Sequence, residues 1–332
     1  MNYNVAVVGA TGMVGRKMLQ VLAERKLPIN ELYLFASAKS AGKKVEFMGK
    51  EYTVIELTEE NVRARKVDIA LFSAGAGTSK TFAPVFADCG AVVIDNSSQW
   101  RMDPSVPLVV PEVNAYDIDW NKGIIANPNC STIQAVVALA PLHRKYGIKR
   151  IVYSTYQAVS GAGVLGYTDL EEGIKGAAPK KFPKPIFGNV LPHIDVFLDN
   201  GYTKEEQKMI DETRKILGDQ SLKITATTVR VPVYYGHSES INVEFNKPVT
   251  LEGVIETLKS AEGVVVMDDV KNGVYPTPLD IADTDPVYVG RIRLDDSVEN
   301  GVNMWVVADN IRKGAATNAV QIAERIIAKR NK

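Results

Sequence analysis

NVAVVGATGMVG, residues 4–15, passes from an apolar run through three evenly spaced glycines into a helical pattern. Residues 4–8 read as a buried strand. Gly9, Gly12 and Gly15 punctuate a turn. From Met13 onward, Val14, Met18, Val21 and Leu22 recur at helical spacing. Strand, glycine turn and helix in that order form the context of a dinucleotide-binding fingerprint. Glycines let the backbone approach a pyrophosphate, and free N–H groups at the helix start bind its charge. The spacing is GxxGxxG rather than GxGxxG, so a turn without a ligand would also produce it. The candidate contacts here are Gly9, Thr11, Gly12, Met13 and Val14.

The end of the next apolar run supports the same reading. ELYLFASAKSAGKK, residues 31–44, places Ala36 and Ser37 where an NAD enzyme holds its ribose-binding acid. No acid stands there. Ser37, Lys39, Ser40, Lys43 and Lys44 do, and hydroxyls with cations suit the 2′-phosphate of NADP. A solvated basic loop would look the same.

Further along, VDIALFSAG (67–75), AVVIDNSS (91–98), LVVPEVN (108–114) and GIIANPN (123–129) are apolar runs that end in small or polar residues. Helical stretches precede several of them. This alternation predicts an α/β fold with a doubly wound, Rossmann-type, mostly parallel sheet. Ligands bind at the carboxyl ends of such strands. Ser73, Gly75, Asn96, Asn127 and Cys130 fall at those ends, so Ser73 and Asn96 join the cofactor candidates.

Bulk properties bound the rest. A chain of 332 residues is long for one core and predicts two domains. Lys+Arg and Asp+Glu are both 39, so no basic footprint for nucleic acid is expected. No apolar stretch predicts a membrane span, and MNYNVAVVGA lacks the pattern of an export signal. Two cysteines cannot form a disulfide framework, which fits a cytoplasmic protein. Three histidines without CxxC or HExxH predict no metal site.

NPNCST, residues 127–132, sets a thiol in a strand-to-helix corner among polar neighbours. Cys130 should stand at or just before the first turn of STIQAVVALAPL, where unpaired N–H groups and the helix dipole favour a thiolate. They could also hold an oxyanion formed on a carbonyl attacked by sulfur. A small buried hydrophobe is the ordinary fate of a free cysteine, and Cys89 in FADCGAVV fits that description. Among the histidines, His143 sits near a helix end and His193 has no clear pattern. His237, in a glycine-containing connection before INVEF, is the best candidate partner for the thiol, although a structural role is equally consistent.

VAVVGATGMVG, ASAKSAGK, NPNCSTIQ, STYQAVSGAG, VRVPV…GHSES and VGRIR…MWVVADNIRKGAA together resemble bacterial aspartate-β-semialdehyde dehydrogenase, from the first strand to the last helix. The resemblance implies reduction of L-aspartyl 4-phosphate with NADPH to the semialdehyde and inorganic phosphate. It implies that Cys130 forms a thioester, that His237 is the acid/base and that Gln157 orients the acyl group. It implies Arg230 for the substrate α-carboxylate, Arg101 with Lys208 for phosphate, Glu205 for the amino group, and Asn129 among the substrate contacts. Ser160 and Gly161 would lie along the cofactor and Asn318 would reach its nicotinamide end. On residue pattern alone, Glu205 and Lys208 belong to a solvated amphipathic helix. The segment 164–189 resembles the family's subunit-contact region but is shorter. Lys39 stands where many relatives carry arginine.

The expected domains are residues 1–129, binding NADP with the C-terminal helix 313–332 packed back on them, and residues 130–312. The second is expected to be an α+β catalytic and dimerisation domain on an open, mostly antiparallel sheet, with strands from ITATTVRV, INVEFN, PVYVGRIR and MWVVAD. Its exposed sheet face predicts a homodimer or tetramer. Two alternatives remain at this point: an N-acetyl-γ-glutamyl-phosphate reductase, which uses the same thiol chemistry, and a non-catalytic NADP-binding homologue.

Overall fold

The computed structural model describes residues 1–331, which divide into two units. One comprises Met1–Pro128 and the segment from Ala315 onward; the other is Asn129–Gly314.

The first unit is built on β1 (Tyr3–Val8), β2 (Ile29–Ala36), β5 (Ile55–Glu56), β6 (Ile69–Phe72), β7 (Val92–Asp95) and β8 (Ile124–Ala126), with β3 (Lys44–Phe47) and β4 (Lys50–Thr53) forming a separate hairpin. The sheet order is β5-β2-β1-β6-β7-β8, and every pair is parallel. Parallel strands buried on both faces need apolar residues at successive positions. Along β1, Val5 and Val7 join a cluster with Met18, Leu22, Ala319, Ile322 and Ile326 from helices Met13–Glu24 and Thr317–Arg330. Ala6 and Val8 point the other way, into a cluster with Ala83 and Phe86 of helix Ala76–Asp88. The chain winds outward through β2 on one side of β1 and through β6, β7 and β8 on the other. The switch point therefore lies between β1 and β6, where open α/β sheets bind ligands.

One expected strand is nearly absent. Of LVVPEVN, Leu108 alone pairs, as an isolated bridge to Ala126. Pro111 then starts a helical turn, Pro111–Asn114, because proline is tolerated in a first turn but removes a ladder donor from a strand.

The second unit carries a six-stranded mixed sheet of β9 (Ile148–Gln157), β10 (Lys223–Arg230), β11 (His237–Phe245), β12 (Val264–Val266), β13 (Val287–Asp295) and β14 (Gly301–Ala308), in the order β10-β9-β11-β14-β13-β12. The three inner pairs are antiparallel and the two edge pairs parallel. His237 is the first residue of β11 rather than part of a connection, so the strand starts four residues before INVEF. Along β11, His237, Glu239, Ile241, Val243 and Phe245 face the interior, and Ser240, Asn242 and Glu244 lie on the more open face. Tyr156 of β9 and Trp305 of β14 share that open face, with ring centroids 5.5 Å apart. The interior face is covered by helices Cys130–Tyr146 and Lys204–Leu217.

Candidate active site

The NPNCST corner is a capped helix start. Asn129 is extended, at φ −60° and ψ 144°, and its Oδ1 accepts from the N–H groups of Ser131 and Thr132 at 3.0 and 3.4 Å. That leaves Cys130 as the first helical residue. The other groups of Asn129 are tied as well: its backbone N–H donates to Glu212 at 2.7 Å and its Nδ2 to Glu205 at 2.9 Å. Asn129, expected among substrate contacts, serves here as the clamp that fixes where the thiol stands.

Sγ of Cys130 lies 3.2 Å from Nε2 of His237. The backbone N–H of Ala158 donates to Nδ1 of the same ring at 3.0 Å. A backbone N–H can only donate, so Nδ1 keeps its lone pair and neutral His237 carries its proton on Nε2, facing sulfur. Burial holds the imidazole well below its ordinary pKa, and the charge of Arg230 acts in the same direction. His143 sits at the far end of the thiol's helix, where its Nδ1 accepts from Ile148, and His193 stacks on Phe197. Cys89 ends helix Ala76–Asp88 and is only half-buried, with Sγ 3.8 Å from Arg63, so it is not the interior residue its sequence context suggests.

Arg230, at the end of β10, is buried and donates from Nη1 to the carbonyl of Ala158 at 2.7 Å, while its Nε has no hydrogen-bond partner. Burial lowers its pKa, opposed by the Glu205 charge. Gln157 donates to Ser131 Oγ at 2.7 Å and to Glu205 at 3.3 Å. Glu205 also accepts from Lys208 at 3.1 Å, and Lys208 reaches Asp195 at 2.8 Å. Burial alone would raise the Glu205 carboxyl, but the Lys208 charge and the Asn129 hydrogen bond outweigh it and hold the group below its ordinary range. Glu205 is thus buried within a network, not on the solvated face that its helix pattern suggested.

Gly161 closes against this group. A Cβ there would sit 2.9 Å from Nη1 of Arg230 and 3.3 Å from Nε2 of His237. Ser160 pairs with Asn310 through its hydroxyl. Behind the thiol, a Cβ on Gly314 would fall 2.9 Å from Cβ of Cys130. Sequence reasoning missed Ala158, Ser131, Glu212 and Gly314. The first acts through its backbone, and the last through the lack of a side chain, neither of which leaves a chemical signature in a residue name.

The first unit holds a cleft of 490 Å³ at the switch point, lined by Gly9, Thr11, Gly12, Ala36, Ser37, Ser73 and also by Leu57, Thr78 and Phe82, which the sequence did not single out. Gly9 has φ +85°, and a Cβ on it would strike the Ser73 carbonyl oxygen at 2.3 Å, so only glycine fits. Met13, Val14, Lys39, Ser40 and Asn96 do not line the cleft itself. Lys39 is exposed beside Ser37, and Ser40 lies 3.4 Å from Thr11 Oγ1. Asn318 is fully buried, and its Nδ2 donates to Val109 O and Asn127 Oδ1 at 3.0 and 2.7 Å. Asn96 in turn accepts from Asn127 at 2.8 Å. Arg101 is buried and donates to the carbonyls of Asn127 and Asn96 at 3.0 and 2.9 Å. Arg101 belongs to the first unit and Lys208 to the second. Among the described residues, no cluster of three or more histidine, cysteine or acidic side chains could hold a metal, and no helix is long and apolar enough to cross a membrane.

Two family models match this chain: "Semialdehyde dehydrogenase, NAD binding domain" over residues 4–121, and "Semialdehyde dehydrogenase, dimerisation domain" over residues 139–313. The chain is 59% identical to the aspartate-semialdehyde dehydrogenase of Aquifex aeolicus, with 98% of each chain covered. The chain belongs to the aspartate-semialdehyde dehydrogenase family. As a member of the aspartate-semialdehyde dehydrogenases it is an oxidoreductase with a Rossmann-type NAD(P)-binding domain. The Campylobacter jejuni aspartate-semialdehyde dehydrogenase is 50% identical over 99% of this chain and 98% of its own. Among solved structures, aspartate semialdehyde dehydrogenase II from Vibrio cholerae, complexed with ASA, superposes with a TM-score of 0.95 at 48% identity and 99% coverage of both chains. A Candida albicans aspartate semialdehyde dehydrogenase with NADP matches at a TM-score of 0.79 and 28% identity, over 99% of both chains.

Proposed function

We propose that this protein converts L-aspartyl 4-phosphate to L-aspartate 4-semialdehyde and inorganic phosphate, using NADPH and a thioester on Cys130, in the synthesis of amino acids of the aspartate family. The contact that carries this reading is the 3.2 Å approach of Cys130 Sγ to His237 Nε2 at the start of a capped helix.

In this reading the Cys130 thiolate attacks the acyl carbon, the carbon–sulfur bond forms and phosphate leaves with the bonding pair. Bound NADPH supplies the hydride that reduces the thioester. The acid/base role expected of His237 takes a narrower form here: neutral with its proton on Nε2, it gives sulfur a hydrogen bond before attack and as sulfur leaves the thiohemiacetal, and the ring never needs to become a buried cation. Arg230 offers a guanidinium with Nε unclaimed, which suits an α-carboxylate. Glu205, held ionised, suits the substrate ammonium, and Gln157, hydrogen-bonded to Glu205, orients the acyl group. Lys208 and Arg101 bind phosphate.

The cleft at the switch point fits a nucleotide, because Gly9, Thr11, Gly12 and Ser73 line it at the strand ends and the bare Gly9 lets its backbone pack directly on Ser73. Gly9, Thr11, Gly12, Met13, Val14 and Ser73 hold the pyrophosphate end, with Asn96, Ser160, Gly161 and Asn318 toward the nicotinamide. Ser37, Lys39 and Ser40 select the 2′-phosphate. Residues 1–129 with 313–332 form the NADP domain, and 130–312 the catalytic and dimerisation domain. The open sheet face around Tyr156 and Trp305 pairs two copies into a homodimer, alone or within a tetramer. Neither cysteine is in a disulfide, which suits the cytoplasm.

The decisive test mixes the purified protein with aspartate semialdehyde, NADP and phosphate and follows NADPH formation. Turnover that is lost in Cys130→Ala is expected. Turnover at a comparable rate in that variant overturns the thioester.

A further inference from the structure

Glu239, from the GHSES stretch, has no part in the chemistry above. It is fully buried in β11, and neither carboxyl oxygen has a hydrogen-bond partner. It stands two residues from His237 on the same interior face, with Thr155 and Val306 as its cross-strand neighbours.

A second orphan occupies the same layer. Gln134 lies one turn beyond Cys130, on the same side of the helix. Its Nε2 donates to the carbonyls of His237 and Val306 at 3.2 and 3.4 Å, and its buried Oε1 has no partner. The amide cannot be turned over, because Oε1 would then face two carbonyl oxygens. So Gln134 sits over the β11–β14 ladder beside Glu239, and that layer contains three acceptor oxygens without a donor. A proton on one carboxyl oxygen converts an acceptor into the missing donor.

We propose that Glu239 is a neutral carboxylic acid in the folded protein, that its O–H donates to Oε1 of Gln134, and that this pair positions the Cys130 helix on the start of β11. Gln134 binds the carbonyl of the same His237 whose ring meets Cys130, so the pair sets helix and strand in register one turn below the reacting sulfur. Of the titratable groups, Tyr153 from β9 feels the Glu239 charge and His237 shares its face of β11; β14 carries none, and no charged group shifts the carboxyl itself. None of these is a cation that could pair with a carboxylate. Burial alone acts on its ionisation and pushes it well above the ordinary carboxyl range.

The kinetic part rests on the thiol chemistry proposed above; the protonation state does not. The test compares Glu239→Gln and Glu239→Leu with the parent. A group that keeps its proton when folded and loses it when unfolded makes the unfolding constant rise about tenfold per pH unit above the ordinary carboxyl range. From pH 5.5 to 7.5 the parent's unfolding constant should therefore rise about 100-fold relative to that of Glu239→Gln. The folded parent at pH 7.5 should show the infrared carbonyl stretch of a protonated carboxyl group that denaturant abolishes, a measurement that needs no variant to fold. Glu239→Leu, which leaves Gln134 without a donor, should lower kcat, and Glu239→Gln, whose amide can donate, should restore it. A stability difference that does not change with pH, or no protonated-carboxyl band, overturns the neutral acid. Equal losses of kcat in both variants overturn the positioning role. Failure of the thioester itself would show instead as turnover by Cys130→Ala.

Discussion

The backbone N–H of Ala158 donates to Nδ1 of His237 at 3.0 Å, and that bond decides which nitrogen of the ring carries the proton. The carbonyl of the same residue accepts from Arg230 at 2.7 Å. One residue just past the end of β9 thus sets the tautomer of the group at sulfur and the direction of the guanidinium.

A consequence appears in pH. The folded pKa of His237 lies below the ordinary imidazole value. As pH falls below about 6.5, the unfolded chain takes up a proton that the folded chain refuses, so stability is full above that pH and is lost below it. The parent's unfolding constant should rise by up to about tenfold per pH unit there, and His237→Gln should lack this component. Denaturant titrations between pH 5 and 7.5 measure both. An equal slope in the two proteins would show that the imidazole protonates normally when folded.

The two cysteines should separate cleanly. Cys130→Ala should abolish NADPH formation while cofactor binding, followed by NADPH fluorescence, persists. Cys89→Ala, at a half-buried helix end, should keep most activity. Comparable losses in both would point to folding rather than to a nucleophile.

Gly161→Ala should injure catalysis more than stability. Its Cβ would press on Arg230 at 2.9 Å and on the His237 ring, both of which are buried and held by Ala158. Overpacking of this kind costs about 1–3 kcal/mol, which at the transition state is about one to two orders of magnitude in kcat/KM. Unchanged kcat/KM in the variant would show that the ring and guanidinium give way freely.

Arg230→Ala and Lys208→Ala should fail differently. Loss of a charge-assisted contact costs roughly 1.5–3 kcal/mol. Arg230→Ala should weaken the semialdehyde, and Lys208→Ala should chiefly raise the KM for phosphate in the oxidative direction. Lys208 is also the strongest charge holding Glu205 ionised, so its removal should raise the pKa of Glu205 as well. Phosphate saturation that does not change in Lys208→Ala rejects the phosphate role.

At the cofactor end, Lys39→Ala should raise the KM for NADP and leave that for NAD nearly unchanged, because Lys39 is exposed beside Ser37 at the cleft. Equal losses with both cofactors would indicate a fold defect.

Much of this architecture was legible from residue pattern. The apolar run before Gly9, the thiol in its polar corner and the apolar stripe of the last helix each rest on local periodicity, which backbone geometry imposes on sequence directly. LVVPEVN misled, because the apolar run does not reveal that Pro111 stops the ladder. The strand β9 is not among those the sequence predicts, although STYQ forms its last four residues.

By itself, then, the sequence determined the order of elements, the parallel sheet with its switch-point turn, and the place of a thiol in a strand-to-helix corner, since these follow from neighbours along the chain. Only tertiary structure decided what surrounds that thiol. Residues 130 and 158 are distant in sequence from each other and from the pair 230 and 237, and their meeting depends on strand register and helix docking. Ala158 acts through its peptide, Gly314 through an absent side chain, and Glu239 through burial among partners that lie on other elements. A hydrogen bond's partner and a carboxyl's desolvation are properties of three-dimensional surroundings, so no reading along one dimension contains them.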